Sequence, residues 1–548
     1  MPTFIKAGFW EKRTNPAQGF RGELNLDQLI ASLSPGGSGP LQYNINATGI
    51  QPVLGANNAS GINSTIGGGV TNTASGGCST IGGGCLNTTS NPYATVSGGI
   101  SNLASGYFST IGGGQSNTSS GDCATVGGGV SNTASCFHST IGGGKSNTAS
   151  NSYATVGGGY LNTASGVKSI VGGGFSNTAS ALYATVGGGK YNTASGYQST
   201  VNGGYSNIAS GSRSTIGGGG GNTSNGDLQF IGNGNTNIIC TTGDSGGTSI
   251  VNGVNNCICG YGQVGVSIVG GGQNCIIGNG NYHSFIGGGQ GNTMTASYAG
   301  DKNVIVGGRF NSIPSGNAIF IGGGSNNTAS SDFSTIGGGR YNTASGIYST
   351  IGGGVTNTAS GSRSTIGGGK SNNASGYYAT IGGGKSNNAS DNSSTVSGGY
   401  LNTASGYQST VGGGFSNTAF GNASTISGGY CNTASDNLAT IAGGKSNTAS
   451  YFASTVSGGR CNTASGNAST IGGGQANTAS GSYSGILAGK SNNTNTYADA
   501  MIVGSNITAD RVCTTFVNNL SIKNIPTSAA GLPSGSIWRS GTSVCIVI

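Results

Sequence analysis

The stretch Ser64-Thr65-Ile66-Gly67-Gly68-Gly69, followed by Asn72-Thr73-Ala74-Ser75-Gly76, recurs with little change through most of this chain. The position of Ile66 holds Ile or Val in twelve repeats that end at Ile231, and in twelve more that run from Ile321 to Ile486. Successive repeats are 15 residues apart. A fixed short period is typical of a repeat architecture, in which each unit stacks on the next.

Each repeat predicts one coil of an all-β fold, a parallel β-solenoid or β-roll. Glycine triplets are incompatible with a helix, and strand alternation places Ser64 and Ile66 inside the coil and Thr65 outside. The glycines form a turn, where positive φ is tolerated, and Ala74 returns to the interior. The predicted core anchors include Ile66, Ile81, Val96, Ile111, Ile336, Ile351 and Ile366.

Asparagine occupies the next corner of the coil in all twelve repeats of each block. If coils stack at roughly 4.8 Å, the side-chain amides can form hydrogen bonds along the stack. Asparagine also tolerates the left-handed conformation that a corner can require. We interpret these residues as a structural ladder rather than a ligand site, and the ladder includes Asn72, Asn87, Asn102, Asn117, Asn132, Asn342, Asn357 and Asn372.

Changes in period and composition predict five parts. These are an N-terminal attachment or cap module (1–50), a regular solenoid block (51–239), irregular coils with longer loops (240–320), a second regular block (321–504) and a C-terminal β cap (505–548). The first part should contain a short helix, since Leu26, Leu29, Ile30 and Leu33 have helical spacing.

The period is lost in the third part, so the core anchors there are assigned from apolar residues alone. The pattern predicts anchors at Val251, Val269, Ile286 and Val306, and a last anchor at Val503. The intervals are longer than 15 residues, which predicts coils with additional loop residues.

Composition limits the classes of function. The 548 residues include 114 glycines, and only 6 % are charged. The net charge of +8 is spread thinly, which argues against a nucleic-acid surface. No apolar run reaches the length of a membrane span, and no signal-peptide apolar region follows Met1.

The twelve cysteines do not have the spacing of a disulfide framework. Cys431 and Cys461 share an offset but lie two repeats apart, about 9–10 Å in a stacked solenoid, which exceeds the reach of a disulfide. Cys257, Cys259 and Cys275 have only His283 as a nearby histidine. The sequence therefore predicts free thiols and no metal site.

No catalytic arrangement is evident. The two histidines, His138 and His283, lie far apart in the chain, and carboxylates are sparse in the repeats. We therefore expect neither an enzyme nor a cofactor.

The repeat carries few large apolar side chains, typically one Ile or Val and one Ala in 15 residues. Such a thin core has little apolar area to offset the entropy of ordering each coil. The sequence therefore predicts lateral association of chains, most simply side by side in a homotrimer.

The segment Ala74-Ser75-Gly76-Gly77-Cys78-Ser79-Thr80-Ile81-Gly82 resembles the head repeats of YadA-like trimeric autotransporter adhesins, and the resemblance covers roughly residues 60–500. It implies left-handed parallel β-rolls in a trimer. The sequence differs in its longer glycine run and its recurrent Asn-Thr-Ala, and it shows no heptad stalk. The tail from Ile525 to Trp538 is similar to C-terminal segments of repetitive phage tail-fibre and virion proteins.

The two resemblances imply a structural fibre or adhesin on the surface of a virus or phage particle, or otherwise extracellular. The N-terminus would bind a virion or tail attachment protein. A host-surface glycan or receptor would bind at the variable aromatic and basic positions or within 240–320. Two alternatives are a self-assembling filament joined end to end through the terminal modules, and an ice-binding solenoid with outward Thr65, Thr80, Thr95 and Thr110.

Overall fold

The computed structural model describes residues 41–43, 50–52, 56–243, 246–280, 282–296, 302–521 and 523–547. Every secondary-structure element in these residues is a β-strand or an isolated bridge, and none is a helix long and apolar enough to cross a membrane. The helix predicted from Leu26 to Leu33 lies outside them. The chain forms two compact units, Met1–Phe310 and Asn311–Ile548.

In the first unit, two parallel sheets run side by side. One sheet contains two-residue strands every 15 residues from Thr65–Ile66 to Phe230–Ile231. The other contains such strands from Asn58–Ala59 to Thr223–Ser224. Longer coils follow, with Ser249–Ile250, Ser267–Ile268, Phe285–Ile286 and Val304–Ile305 in the first sheet, and Ile238–Thr242, Cys257–Tyr261, Cys275–Gly278 and Thr293–Ala296 in the second. The first strands among the described residues form an antiparallel pair, Leu41–Tyr43 with Ile50–Pro52.

The second unit has the same design. Its first sheet contains strands every 15 residues from Phe320–Ile321 to Gly485–Ile486, then Met501–Val503 and Thr515–Val517. Its second sheet contains Ser312–Ile313 and strands every 15 residues from Thr328–Ala329 to Thr478–Ala479. An antiparallel hairpin of Ile537–Ser540 and Ser543–Ile546 follows near the C-terminus.

Each strand residue pairs with the residue 15 positions later, so the register between coils equals the sequence repeat. Thr65 pairs with Thr80 and Ile66 with Ile81 in the first sheet, while Thr73 pairs with Thr88 in the second. Ile66 and Ala74 are fully buried between the sheets. The prediction of a parallel β-solenoid with 15-residue coils is therefore confirmed, whereas the side-by-side trimer stays a prediction.

The anchors assigned to the longer coils were wrong by one residue, except Ile286. The four others, Val251, Val269, Val306 and Val503, are 40 to 48 % exposed. The buried residue is the one before each: Ile250, Ile268, Ile305 and Ile502. Two β-branched residues are adjacent at each of these places, and a strand of this length cannot show by composition which one faces inward. The reliable marker is the buried corner asparagine, which in the longer coils of the first unit lies six residues after the anchor, as Asn256 does after Ile250.

Two corner positions are left-handed without being glycine in most of the 15-residue coils. Cys78 and Leu86 have φ values of 56° and 60°, and the equivalent residues of the other coils are similar. Non-glycine residues seldom adopt this conformation. Each is held by a hydrogen bond between coils, because the N–H of Cys78 donates to the carbonyl of Ile62 at 2.7 Å and that of Leu86 to Val70 at 3.0 Å.

Within the glycine triplet, the third residue is the one that requires glycine. Gly354 has a φ of 92°, and a Cβ there would collide with the carbonyl oxygen of Gly369 in the next coil. Gly353 has no atom within 4 Å of the equivalent Cβ position.

We expect Gly354→Ala to destabilise the second unit by at least about 2 kcal/mol, since it combines a left-handed conformation with a clash against backbone. Gly353→Ala is the matched control and should change stability by less than about 0.5 kcal/mol. Denaturant midpoints and limited proteolysis would compare the two variants with the parent chain. Equal destabilisation by both substitutions would contradict this account of the corner.

Candidate functional site

The corner asparagines are fully buried and connect each coil to both of its neighbours. Asn72 Oδ1 accepts from the backbone N–H of Asn87 at 2.9 Å. Asn87 Nδ2 donates to the carbonyls of Gly83 in its own coil and Gly99 in the next coil, at 3.0 and 2.8 Å. The stack is therefore held mainly by amide-to-backbone hydrogen bonds, with additional amide-to-amide contacts in some coils.

The predicted ladder residues of both units take part in the same hydrogen bond between a backbone N–H and an asparagine Oδ1. These residues include Asn72, Asn87, Asn102, Asn117, Asn132, Asn342, Asn357 and Asn372. It also continues through the irregular coils of the first unit, at Asn256, Asn274 and Asn292, which sequence reasoning missed because their spacing is 18 or 19 residues.

We expect Asn372→Ala to lower the free energy of unfolding of the second unit by about 2–4 kcal/mol. It leaves the backbone N–H of Asn387 and the carbonyl of Gly368 without this partner, and it removes one of the two donors to the carbonyl of Gly384. Asn373→Thr is a matched control, because Thr358 and Thr403 occupy the equivalent half-buried position in neighbouring coils. Denaturation of the two variants would measure the difference, and an undestabilised Asn372→Ala would contradict a structural ladder.

The variable side chains lie at the two corners of the coil. We call the first series the bridge row: one residue per coil, directly after the left-handed glycine, paired to its neighbours by a single β-bridge, as Val70 is to Cys85. We call the second series the turn row: the residues equivalent to Gly77 and Cys78, at the opposite corner. Neither row contributes to the interior, so each tolerates large side chains.

In the second unit the bridge row contains three consecutive aromatic rings, one pair edge to face and one pair stacked, with a lysine at each end. Tyr400 and Phe415 have ring centroids 5.3 Å apart, and Phe415 and Tyr430 are stacked at 4.9 Å. Lys385 Nζ lies 5.0 Å from the Tyr400 ring, and Lys445 Nζ lies 5.0 Å from the Tyr430 ring. Both lysines are exposed, and no acidic residue occupies the row from Ser325 to Lys490.

A similar group lies in the bridge row of the first unit. Lys145 is 5.5 Å from the Tyr160 ring, whose neighbour is Phe175 at 5.3 Å. Lys190 Nζ then lies 5.2 Å from Phe175 and 5.9 Å from Tyr205. Both units therefore present cations beside exposed or half-buried aromatic faces.

The turn row is richer in apolar side chains. Tyr93 and Phe108 stack at 4.7 Å, and Phe333 and Tyr348 at 4.6 Å. All four side chains are between 44 and 55 % exposed. A shallow, open groove of about 350 Å³ lies in this row and is lined by Ile62, Gly77, Cys78, Pro92, Tyr93 and Tyr107.

The prediction that the cysteines are free thiols was wrong for one pair, because Cys240 and Cys259 form a disulfide. They are register partners on adjacent strands, with Cα atoms 4.6 Å apart, so they are one coil apart rather than two. Their separation of 19 residues hid this relation, since the coil between them is longer than the repeat. Cys257 Sγ, Cys240 Sγ and Cys259 Sγ all lie within 4.8 Å of one another.

Neither a protein-family model nor a curated protein sequence matches this chain. Its function is therefore inferred from its own geometry.

Proposed function

We propose that the chain is a structural fibre and adhesin, a rigid trimeric β-solenoid displayed on a virus or phage particle that binds a host-surface glycan. The observation that supports it is the separation of roles within one coil. The buried positions repeat almost without change, while the two exposed rows differ from coil to coil. Such a molecule keeps a constant scaffold and varies only the surface that partners contact.

The bridge row favours an anionic carbohydrate as ligand. Exposed aromatic faces stack against the apolar faces of sugar rings, much as they stack on other flat ligands. Lysines beside those rings attract carboxylate or sulfate groups, and no acidic side chain in the row opposes them. The ligand would lie along the stack, since the rings follow one another coil by coil.

The turn row favours contact between chains. Its exposed aromatic side chains occur in pairs of adjacent coils, such as Tyr93 with Phe108 and Phe333 with Tyr348, and apolar patches on a protein surface commonly mark interaction surfaces. Burial of this row in a trimer would add the apolar area that the thin core of a single coil lacks. The two rows would then have different partners, a second copy at one corner and a glycan at the other.

The trimer can be tested with the double variant Phe333→Asp/Tyr348→Asp. Both positions are left-handed, and aspartate tolerates this conformation, so the coil should still fold. Light scattering should give a trimer mass for the parent chain and a lower mass for the variant, because six carboxylates would be buried in the interface. Tyr400→Asp/Tyr430→Asp is the control and should remain trimeric. A monomeric parent chain would contradict the proposal.

Glycan binding can be tested on an immobilised sulfated polysaccharide with the triple variant Tyr400→Val/Phe415→Val/Tyr430→Val. Val355 occupies the same position in a nearby coil, so the fold should be kept, and the net charge does not change. We expect affinity to fall about tenfold or more, because ring stacking and the lysine–ring contacts are lost.

Lys385→Gln/Lys445→Gln separates charge from stacking. It should reduce both the affinity and its dependence on salt, as expected when cations that contact a polyanion are removed. Phe333→Ala/Tyr348→Ala in the turn row is the control for aromatic content, because Ala423 and Ala453 occupy the same left-handed position in other coils. If the triple valine variant bound the immobilised polysaccharide as tightly as the parent chain, the positive charge of the protein would account for binding, and the proposed role of the aromatic rings would be wrong.

A further inference from the structure

Four cysteines lie on the outer face of the second sheet in three successive coils of the first unit. Cys240 is the register partner of Cys259, and Cys257 is the register partner of Cys275. Cys257 and Cys259 are two residues apart on one strand and so face the same side. The four residues form a zigzag in the order Cys240, Cys259, Cys257, Cys275, which we call the cysteine zigzag. All four are half-buried.

This arrangement is unsuited to a single metal ion with four thiolates. Cys240 and Cys275 are separated by two coils, about 9–10 Å along the stack, and by two residues along the strand. Tetrahedral thiolate ligands of zinc have sulfurs only about 3.8 Å apart. What the zigzag provides instead is a series of neighbouring sulfur atoms, each next to the following one.

The central contact in this series is between a free thiol and a disulfide. Cys257 Sγ lies 3.1 Å from Cys259 Sγ, which is bonded to Cys240. A hydrogen bond from the Cys275 thiol lowers the pKa of Cys257 to about 7 and raises that of Cys275. A substantial fraction of Cys257 is therefore thiolate at neutral pH, and the thiolate is the species that attacks a disulfide.

We propose that the cysteine zigzag is an internal thiol–disulfide exchange site, which moves one disulfide between Cys240–Cys259 and Cys257–Cys275. The Cys257 thiolate attacks Cys259 Sγ, forming a Cys257–Cys259 bond and releasing the Cys240 thiolate. The Cys275 thiol then loses its proton, through solvent, to the released Cys240 thiolate, and the Cys275 thiolate attacks Cys257 Sγ, forming Cys257–Cys275 and releasing the Cys259 thiolate. One disulfide, one thiol and one thiolate are therefore present before and after, and no oxidant is consumed.

The two end states have equivalent positions in the fold. Each joins register partners on adjacent strands, whose Cα atoms are close enough for a disulfide, as the 4.6 Å separation of Cys240 and Cys259 shows. The middle pairing joins two residues of one strand, whose Cα atoms lie near the upper limit for a disulfide, so it should be transient. Exchange moves the covalent connection by one coil, from the first and second coils to the second and third.

The sequence allows a clean measurement of this exchange. No lysine or arginine lies between Arg213 and Lys302, so trypsin releases one peptide, 214–302, that contains these four cysteines and no others. The full chain, never exposed to reductant, would be incubated without oxygen at pH 8 and then quenched in acid. Free thiols would be alkylated before digestion, and the disulfide in this peptide would be assigned by mass spectrometry.

We expect every copy of the peptide to carry two alkyl groups and one disulfide, with two populations, Cys240–Cys259 and Cys257–Cys275. Cys275→Ser should remove the second population, while Cys78→Ser, an exposed thiol outside the zigzag, should leave both unchanged. Recovery of Cys240–Cys259 alone after prolonged incubation would overturn the proposal. It would also be overturned if Cys257–Cys275 occurred only in peptides that retain Cys240–Cys259, because outside oxidation would then have formed it.

Discussion

Hydrogen bonding between coils is the interaction on which this structure depends. Each coil has little apolar interior, yet at the glycine corner of every regular coil the buried side chain is an asparagine whose amide forms hydrogen bonds with backbone groups of its own coil and of the next coil. In a buried setting an unsatisfied amide or carbonyl is costly, so the asparagine cannot be exchanged for an apolar residue of similar size. Glycine beside it lets the backbones of adjacent coils approach closely enough for these bonds to form. The coils therefore stack through buried hydrogen bonds at this corner, and the apolar core between the two sheets is correspondingly narrow.

The 15-residue period was enough to predict the solenoid, because a strict period fixes the register between coils wherever it holds. Where it was lost, prediction by composition failed in a specific way. Ile250 and Val251 are equally apolar, and only the distance to Asn256 identifies which is buried. The disulfide was missed for the same reason, since Cys240 and Cys259 are neighbours only after the longer coil is counted.

The left-handed corner residues could not be predicted from residue type. Tyrosine, phenylalanine, arginine and leucine all occupy the position of Cys78, and none of them favours positive φ by itself. The backbone hydrogen bond to the previous coil holds the conformation, so the constraint comes from stacking and is invisible in one repeat taken alone. The same constraint places the turn-row side chains at the position of Cys78 outside the coil.

The asparagine ladder also has a direction. The Oδ1 of Asn372 accepts from the backbone N–H of Asn387 in the following coil, and its Nδ2 donates to the carbonyl of Gly384 in that same coil, so both groups of the amide serve the coil on the C-terminal side. In the second unit the series ends where Asn492 Oδ1 accepts from the N–H of Ile507, a residue with no amide side chain to continue it. The two ends of such a stack are therefore chemically different, as the two ends of a directional filament are. A segment that extends the C-terminal end must bring both a backbone N–H and a carbonyl to the last amide, as Ile507 and Gly504 do for Asn492, whereas a segment that extends the N-terminal end must itself bring the asparagine.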